Sequence, residues 1–171
     1  MVRLSARIIK EGGMEELSMV ELVIDRTQPF ISAELFEFDR LIIEEQDERS
    51  LALKHIDIAK IQLRNVCRPG ESYIYGEERI ARFKKTGFIR LDAKVLKALL
   101  QNKALIPEGW NQKKNGINPC IAFDGTILHR EYEKGRCVLA LCWNGKKWNP
   151  AMGWLSNNWG GNTPSAVLIN I

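Results

Sequence analysis

From Asn111 to its last residue the chain is cut into short pieces by turn dipeptides, and this restricts its fold more than any other feature. Asn-Gly occurs at Asn115-Gly116 and Asn144-Gly145, Asp-Gly at Asp124-Gly125, and Lys134-Gly135 separates two apolar runs. Gly, Asn and Asp accept the positive φ angles that tight hairpins demand. Between these turns lie Cys120 to Phe123, Thr126 to His129, Arg136 to Trp143 and Ala166 to Ile171, each mostly apolar or β-branched. The spacing predicts an antiparallel, turn-dense β region.

Upstream, periodicity is mixed. Leu4, Ala6 and Ile8 alternate with polar residues ahead of a Gly12-Gly13 turn, and Val20, Leu22 and Ile24 alternate again, which predicts two strands. Phe30 to Ile43 reads as one long strand with a bulge or bend, followed by a solvated acidic turn from Glu44 to Glu48. Leu51 to Val66 reads as a helix through Ala52, Ile56, Ala59, Leu63 and Val66, although Ile56 with Ile58 and Ile61 with Leu63 also fit two short alternating pieces. Pro69-Gly70 is a turn signal and marks the candidate boundary of an N-terminal strand-rich part. A short helix is predicted over Glu77 to Lys85. A second begins at the N-cap Asp92, carries Val95, Leu96, Leu99 and Leu100, and stops before Pro107.

At 171 residues the chain suits one domain, or one domain with a small appendage. The longest apolar stretch, Cys137 to Trp143, falls far short of the roughly 18 residues of a membrane helix. Met1 to Lys10 lacks the apolar core of a signal peptide, so the expectation is synthesis and retention inside a cell unless another route exports the chain. On that compartment argument Cys67, Cys120, Cys137 and Cys142 read as free, buried thiols. Their spacing supplies no paired zinc knuckles.

Charge is uneven along the chain. Residues 1–84 hold 13 Lys+Arg and 16 Asp+Glu, a balance of −3, whereas residues 85–171 hold 12 and 5, a balance of +7. A basic half invites a nucleic-acid reading, yet the charges are scattered between Lys85 and Lys147 and read mostly as a solvated face.

Catalytic signatures are lacking. The two histidines, His55 and His129, have no sequence-adjacent nucleophile and read as structural, and no nucleotide-binding, zinc-protease or nucleophile-elbow motif occurs. A small hydrolase using His129 with Asp124 or a cysteine would need a defined pocket and a perturbed titration. Glu44, Glu45, Asp47 and Glu48 read as solvated charge and not as a metal cluster. No cofactor is expected.

Four of the five tryptophans, Trp143, Trp148, Trp154 and Trp159, fall within 17 residues, interleaved with Asn, Gly and Ser and with no acidic residue. Trp supplies rigid apolar area, while Asn and Gly adapt their hydrogen bonding and backbone, the mixture found in binding loops. Ordinary core packing in a loop-rich β fold explains the tryptophans equally well. Stacking platforms for single-stranded nucleic acid would need more charge than Lys146 and Lys147 bring.

Several short pieces in this part share their texture and order with a known family. They are Ile106-Pro107-Glu108-Gly109-Trp110, Phe123-Asp124-Gly125-Thr126-Ile127-Leu128, Leu141-Cys142-Trp143-Asn144-Gly145, Met152-Gly153-Trp154-Leu155-Ser156-Asn157-Asn158-Trp159 and Pro164-Ser165-Ala166-Val167-Leu168. Together, over roughly the last 70 residues, they resemble the variable proteins of diversity-generating retroelements. In that family a reverse-transcriptase system rewrites adenines, so Asn codons diversify while Trp codons, which lack adenine, persist. The resemblance implies a C-type-lectin-like fold in which two helices and a twisted antiparallel sheet hold diversified side chains on one exposed face.

By the same resemblance Trp143, Trp148, Trp154 and Trp159 are framework, and Asn144, Asn149, Ala151, Met152, Gly153, Ser156, Asn158, Gly160 and Asn162 are candidates for ligand contact. The implied protein is α+β, with a strand-rich part over 1–85, separate or integral to the same domain, and a lectin-like part over 86–171. In the alternative where the fold extends backward into the N-terminal part, Leu51 to Val66 would be its first helix and Asp92 to Lys103 its second. It would be a non-enzymatic receptor-recognition protein of a virus or a minute host-associated microbe, displayed on a virion or cell surface. A protein target is expected ahead of a glycan, because Trp anchors protein interfaces and the chain from Lys134 onward has no acidic residue to ligate calcium. The reading from another class is a nucleic-acid-associated protein using the basic half.

Overall fold

Asp92 starts a nine-residue helix, Ala93–Gln101, that buries five of its side chains. The Asp92 backbone is extended (φ −93°), and its carboxylate accepts from the N–H groups of Lys94 (2.8 Å) and Val95 (3.3 Å), donors that a first helical turn leaves without partners. The helix it caps buries Val95, Leu96 and Leu99 completely, at about 1.5–3 kcal/mol for each large side chain removed from water.

The computed structural model describes residues 20–36, 40–132 and 135–169. In chain order the elements are β1 (Glu21–Val23), β2 (Leu41–Gln46), α1 (Glu48–Leu51), β3 (His55–Asp57), β4 (Gln62–Arg64), β5 (Tyr73–Tyr75), α2 (Gly76–Lys84), β6 (Phe88–Arg90) and α3 (Ala93–Gln101). Then follow β7 (Cys120–Arg130), β8 (Arg136–Trp143), β9 (Trp148–Trp154), β10 (Asn158–Gly160) and β11 (Ser165–Ile169). The protein is α+β.

The main sheet runs β4-β11-β7-β8-β9, with β2 also on β7 and β6 also on β11. Its pairs are antiparallel except β11 with β7. Strands from both sides of residue 85 therefore share one sheet. Two small ribbons, β1-β3 and β5-β10, lie beside the main sheet, and an isolated antiparallel bridge joins Lys114 and Ile117.

Alternation along β7 and β8 divides the interior into two cores. Ile121, Phe123, Cys137, Leu139 and Leu141 face α3, together with Leu22 and Ile56 from the β1-β3 ribbon. Ala122, Ile127 and Val138 face the other way and pack with Ile80 of α2, Ile74 of β5, Leu155 and Trp159. No helix among the described residues is long and apolar enough to cross a membrane.

Several sequence expectations are corrected. The strand expected at Leu4 to Ile8 and the Gly12-Gly13 turn lie outside the described residues. The long strand expected over Phe30 to Ile43 is interrupted: Ser32–Glu34 is a 3-10 turn and β2 begins only at Leu41. Local bonds favour the break, since Ser32 accepts at its carbonyl from Leu35 and Phe36 N–H and at its hydroxyl from Leu41 N–H. The helix expected over Leu51 to Val66 is replaced by β3, a 3-10 turn and β4. The alternating pieces prevail because pairing with β1 and β11 buries Ile56, Ile58 and Ile61 while Asp57 caps Ala59 N–H.

The acidic run is not a solvated turn. Glu44 and Glu45 lie in β2, where they pair with Arg136 (2.9 Å) and Lys84 (2.6 Å), and Asp47 is the buried N-cap of α1, bound by Arg49 and by Arg90 N–H. Asp124-Gly125 makes no hairpin either. It sits at a bulge inside the single strand β7, where Gly125 passes so close to Arg90 O that a Cβ would lie 2.2 Å from it.

Cys120 and Cys142, expected to be free thiols, form a disulfide across the β7-β8 pair, while Cys67 and Cys137 are not in disulfides and Cys137 is buried among apolar side chains. Residues 22 apart are joined, so Cys142→Ala is expected to lower stability by about 2–4 kcal/mol through the freer unfolded chain. Urea unfolding of the oxidised protein and the variant checks this; coincident midpoints would show that the bridge does not form.

Candidate ligand-binding face

The stretch from Trp143 to Asn162 builds β9, β10 and the loops around them, and each tryptophan has a distinct support. Trp143 and Trp148 close the β8-β9 hairpin as a cross-strand pair with ring centroids 5.4 Å apart. Trp148 is buried; Trp143 is half-buried. Trp154 is half-buried, with the Arg130 guanidinium 4.8 Å from its ring centroid. Trp159 is buried and donates from Nε1 to Trp154 O at 3.0 Å.

Period-two alternation sorts the candidate residues of β9. Trp148, Met152 and Trp154 pack on the α3 side of the sheet. Asn149, Ala151 and Gly153 alternate with them and face the opposite side. Gly153 lies beneath Trp159, and a Cβ there would stand 2.1 Å from the ring's Cη2, so exchange at this position must displace the ring. Met152 and Gly153 are thus tied to packing.

At the hairpin tip Asn144 is exposed, and its Oδ1 accepts from Lys146 N–H (3.0 Å) and Lys147 N–H (2.9 Å). Gly145 supplies the positive φ of that turn, at 94°. Asn149 Nδ2 donates to Lys147 O at 3.1 Å. Beyond β9, Ser156 and Asn158 are exposed, while Gly160 and Asn162 are half-buried.

The β5-β10 ribbon carries Trp159 and Ile74 inward and pairs Asn158 with Tyr75 and Gly160 with Tyr73. The two tyrosines are 48% and 62% exposed, which puts two aromatic rings on the outer face beside the candidate positions. Sequence reasoning missed them. The Tyr-Ile-Tyr alternation after Pro69-Gly70 is the signal that carried them.

Beneath the ribbon lies a buried charged group. Arg79 of α2 is 3% exposed, its Nη2 stands 3.3 Å from Asp124 Oδ2, and it donates to Ser165 Oγ, which itself donates to the same carboxylate. Burial pulls the Arg79 guanidinium below its ordinary pKa, and the Asp124 charge opposes that shift. The guanidinium carbon lies 4.4 Å from the Trp159 ring centroid.

Of the groups weighed for catalysis, Asp124 is held in that buried group, His129 Nδ1 faces Glu44 Oε2 at 3.7 Å, and His55 Nδ1 is an exposed partner of Glu21 at 3.2 Å. The described residues contain no metal-holding cluster of His, Cys, Asp and Glu. Compared with known proteins, the chain finds no match among protein-family models, curated proteins or solved structures.

Proposed function

We propose that this chain is a non-enzymatic ligand-binding protein of C-type-lectin-like fold whose C-terminal surface, about residues 143–163, is diversified by a retroelement for receptor recognition. The observation that carries the reading is the separation inside one short segment of tryptophans tied into the frame from Asn and Ser positions left open to solvent. Trp148 and Trp159 are buried, whereas Asn144, Ser156 and Asn158 are exposed. The α+β architecture, with the nine-residue helices α2 and α3 packed on opposite faces of a mostly antiparallel sheet, supports the reading at the level of fold class, the first helix being Gly76–Lys84 in place of Leu51 to Val66. The Cys120–Cys142 bridge suits a protein displayed in an oxidising setting, such as a virion or cell surface. A protein target is favoured, because exposed Tyr beside Asn and Ser is the composition of protein-recognising loops.

The nucleic-acid reading draws on less unpaired charge than the count of basic residues gives. Three of the twelve basic residues of the C-terminal half pair with acidic ones of the N-terminal half: Arg90 with Glu45 and Asp47, Lys97 with Glu34, and Arg136 with Glu44 and Glu77. Charge already paired in this way does not release counterions from phosphates.

A library randomised at Asn144, Asn149, Ser156, Asn158 and Asn162, with the tryptophans fixed, tests the proposal. Displayed under oxidising conditions, most members should resist protease, and binders to a model protein such as egg-white lysozyme should be recoverable. A mostly unfolded library, or one without binders, would contradict it. Binding of the parent chain to generic duplex DNA that weakens about a thousandfold between roughly 50 and 200 mM salt would favour the other reading.

A further inference from the structure

Arg79 is an expensive residue to place where it stands. It is 3% exposed, and two atoms of its ion pair, Arg79 Nη1 and Asp124 Oδ1, are buried without a hydrogen-bond partner. A buried pair so incompletely satisfied is weak evidence for stability, since a well-packed apolar substitute commonly serves the fold as well. What the guanidinium does beyond filling space is join three elements to the Trp159 ring, with the Phe83 ring of its own helix 5.5 Å away. Its partners Asp124 and Ser165 lie on β7 and β11, it is itself anchored in α2, and its guanidinium carbon lies over the Trp159 ring of β10.

The ribbon is fixed at two other points. Gly76 N–H donates to Asn157 O at 3.0 Å and Glu77 N–H to Leu155 O at 3.2 Å, so the first turn of α2 holds the β9-β10 turn. Gly76 allows this approach, because a Cβ would stand 2.6 Å from Leu155 Cα. Gly153, on the sheet, leaves room for the Trp159 ring from below. These contacts place the turn and the ring, whose Nε1 also donates to Trp154 O; the Arg79 guanidinium covers the ring from the α2 side.

We propose that Arg79, fixed by Asp124 and Ser165, is a positioning residue that pins Trp159 and thereby holds the outer face of the β5-β10 ribbon, with Tyr73, Tyr75 and Asn158, in one binding-ready arrangement. This rests on the reading of that face as a recognition surface. Its physical logic is preorganisation: a face held rigid loses less entropy on binding, and a pin beneath the sheet leaves the exposed positions free to be exchanged.

Amide hydrogen exchange on the oxidised full chain, with the five indole Nε1–H signals followed by NMR, tests it. In Arg79→Met, protection over Tyr73–Tyr75 and Asn158–Gly160 should fall at least about tenfold. Protection over Ile121–Phe123 and Leu139–Leu141 should stay within about twofold, and the Trp159 indole signal should shift. Because Arg79→Met strands a buried carboxylate, the double variant Arg79→Met with Asp124→Asn is measured beside it and should show the same ribbon-selective loss. Arg79→Lys retains charge without the planar face and should restore protection only in part.

Uniform loss over both sets, no loss at either, or a double variant that does not fold would each overturn the assignment. The outcome is independent of the display reading. Ribbon-selective loss in a protein whose gene proves invariant would leave Arg79 as the pin and remove the display role, whereas a variable gene with uniform loss would do the reverse.

Discussion

Asp92→Ala is expected to destabilise the protein by about 3–5 kcal/mol, the range for breaking a buried charge pair from one side. Asp92 is fully buried, receives both Nη1 (3.1 Å) and Nη2 (2.8 Å) of Arg26, and accepts from Ser50 Oγ at 2.6 Å. It also caps α3 through Lys94 and Val95. The substitution removes the cap, worth about 1 kcal/mol, and leaves Arg26 with only the carbonyls of Leu53 and Ser50. Urea unfolding measures the loss. A change under about 1 kcal/mol would mean that Arg26 turns out to water and that the α3 start tolerates an uncapped end.

The second large effect separates frame from face. Gly153→Val should cost about 3 kcal/mol, at the upper end for overpacking, because its Cβ would fall 2.1 and 2.4 Å from two carbons of the Trp159 ring. Ser156→Ala and Asn158→Ala, at exposed positions, should each shift stability by no more than about 0.5 kcal/mol. The contrast within six residues of chain is the expected signature of a rigid scaffold beneath an exchangeable surface. Thermal unfolding of the three variants checks it. Comparable losses at Gly153 and Asn158 would show that the ribbon depends on its outer side chains as much as on its inner ring.

The most legible parts of the fold were those in which local chemistry and tertiary packing agree. Asp92 announced α3 because a capping side chain, a stripe of Leu and Val and a following Pro all favour one helix. Asn144-Gly145 announced the β8-β9 hairpin because only Gly takes φ 94° there without strain. Leu51 to Val66 was misread because five apolar residues fall at helical spacing; its β-branched members are claimed by partners far along the chain, β1 and β11. Asp124-Gly125 was misread for a related reason. A Gly that permits close approach of another backbone looks, in one dimension, like a Gly that permits a turn.

Around the candidate face, the tryptophan and asparagine texture was visible in the chain, but its division by strand parity was not. Nothing local tells Met152, which packs on the α3 side, from Ala151, which faces the other way. Tyr73 and Tyr75 lie more than eighty residues upstream of Asn158 and Gly160, and only the β5-β10 pairing brings them together. Arg79 is hidden for the same reason: in sequence it is one more charge in Glu77-Glu78-Arg79, while in space it is the buried one.

The central claim is that this face is diversified, and sequencing the codons for residues 140–171 across many copies of the gene from its natural population tests it most directly. The account predicts substitutions concentrated at Asn144, Asn149, Ser156, Asn158 and Asn162, with Trp143, Trp148, Trp154, Trp159 and Gly153 unchanged, and a near-identical template repeat nearby. Uniformly low variation without a template would contradict it, leaving the tryptophan stretch as core packing.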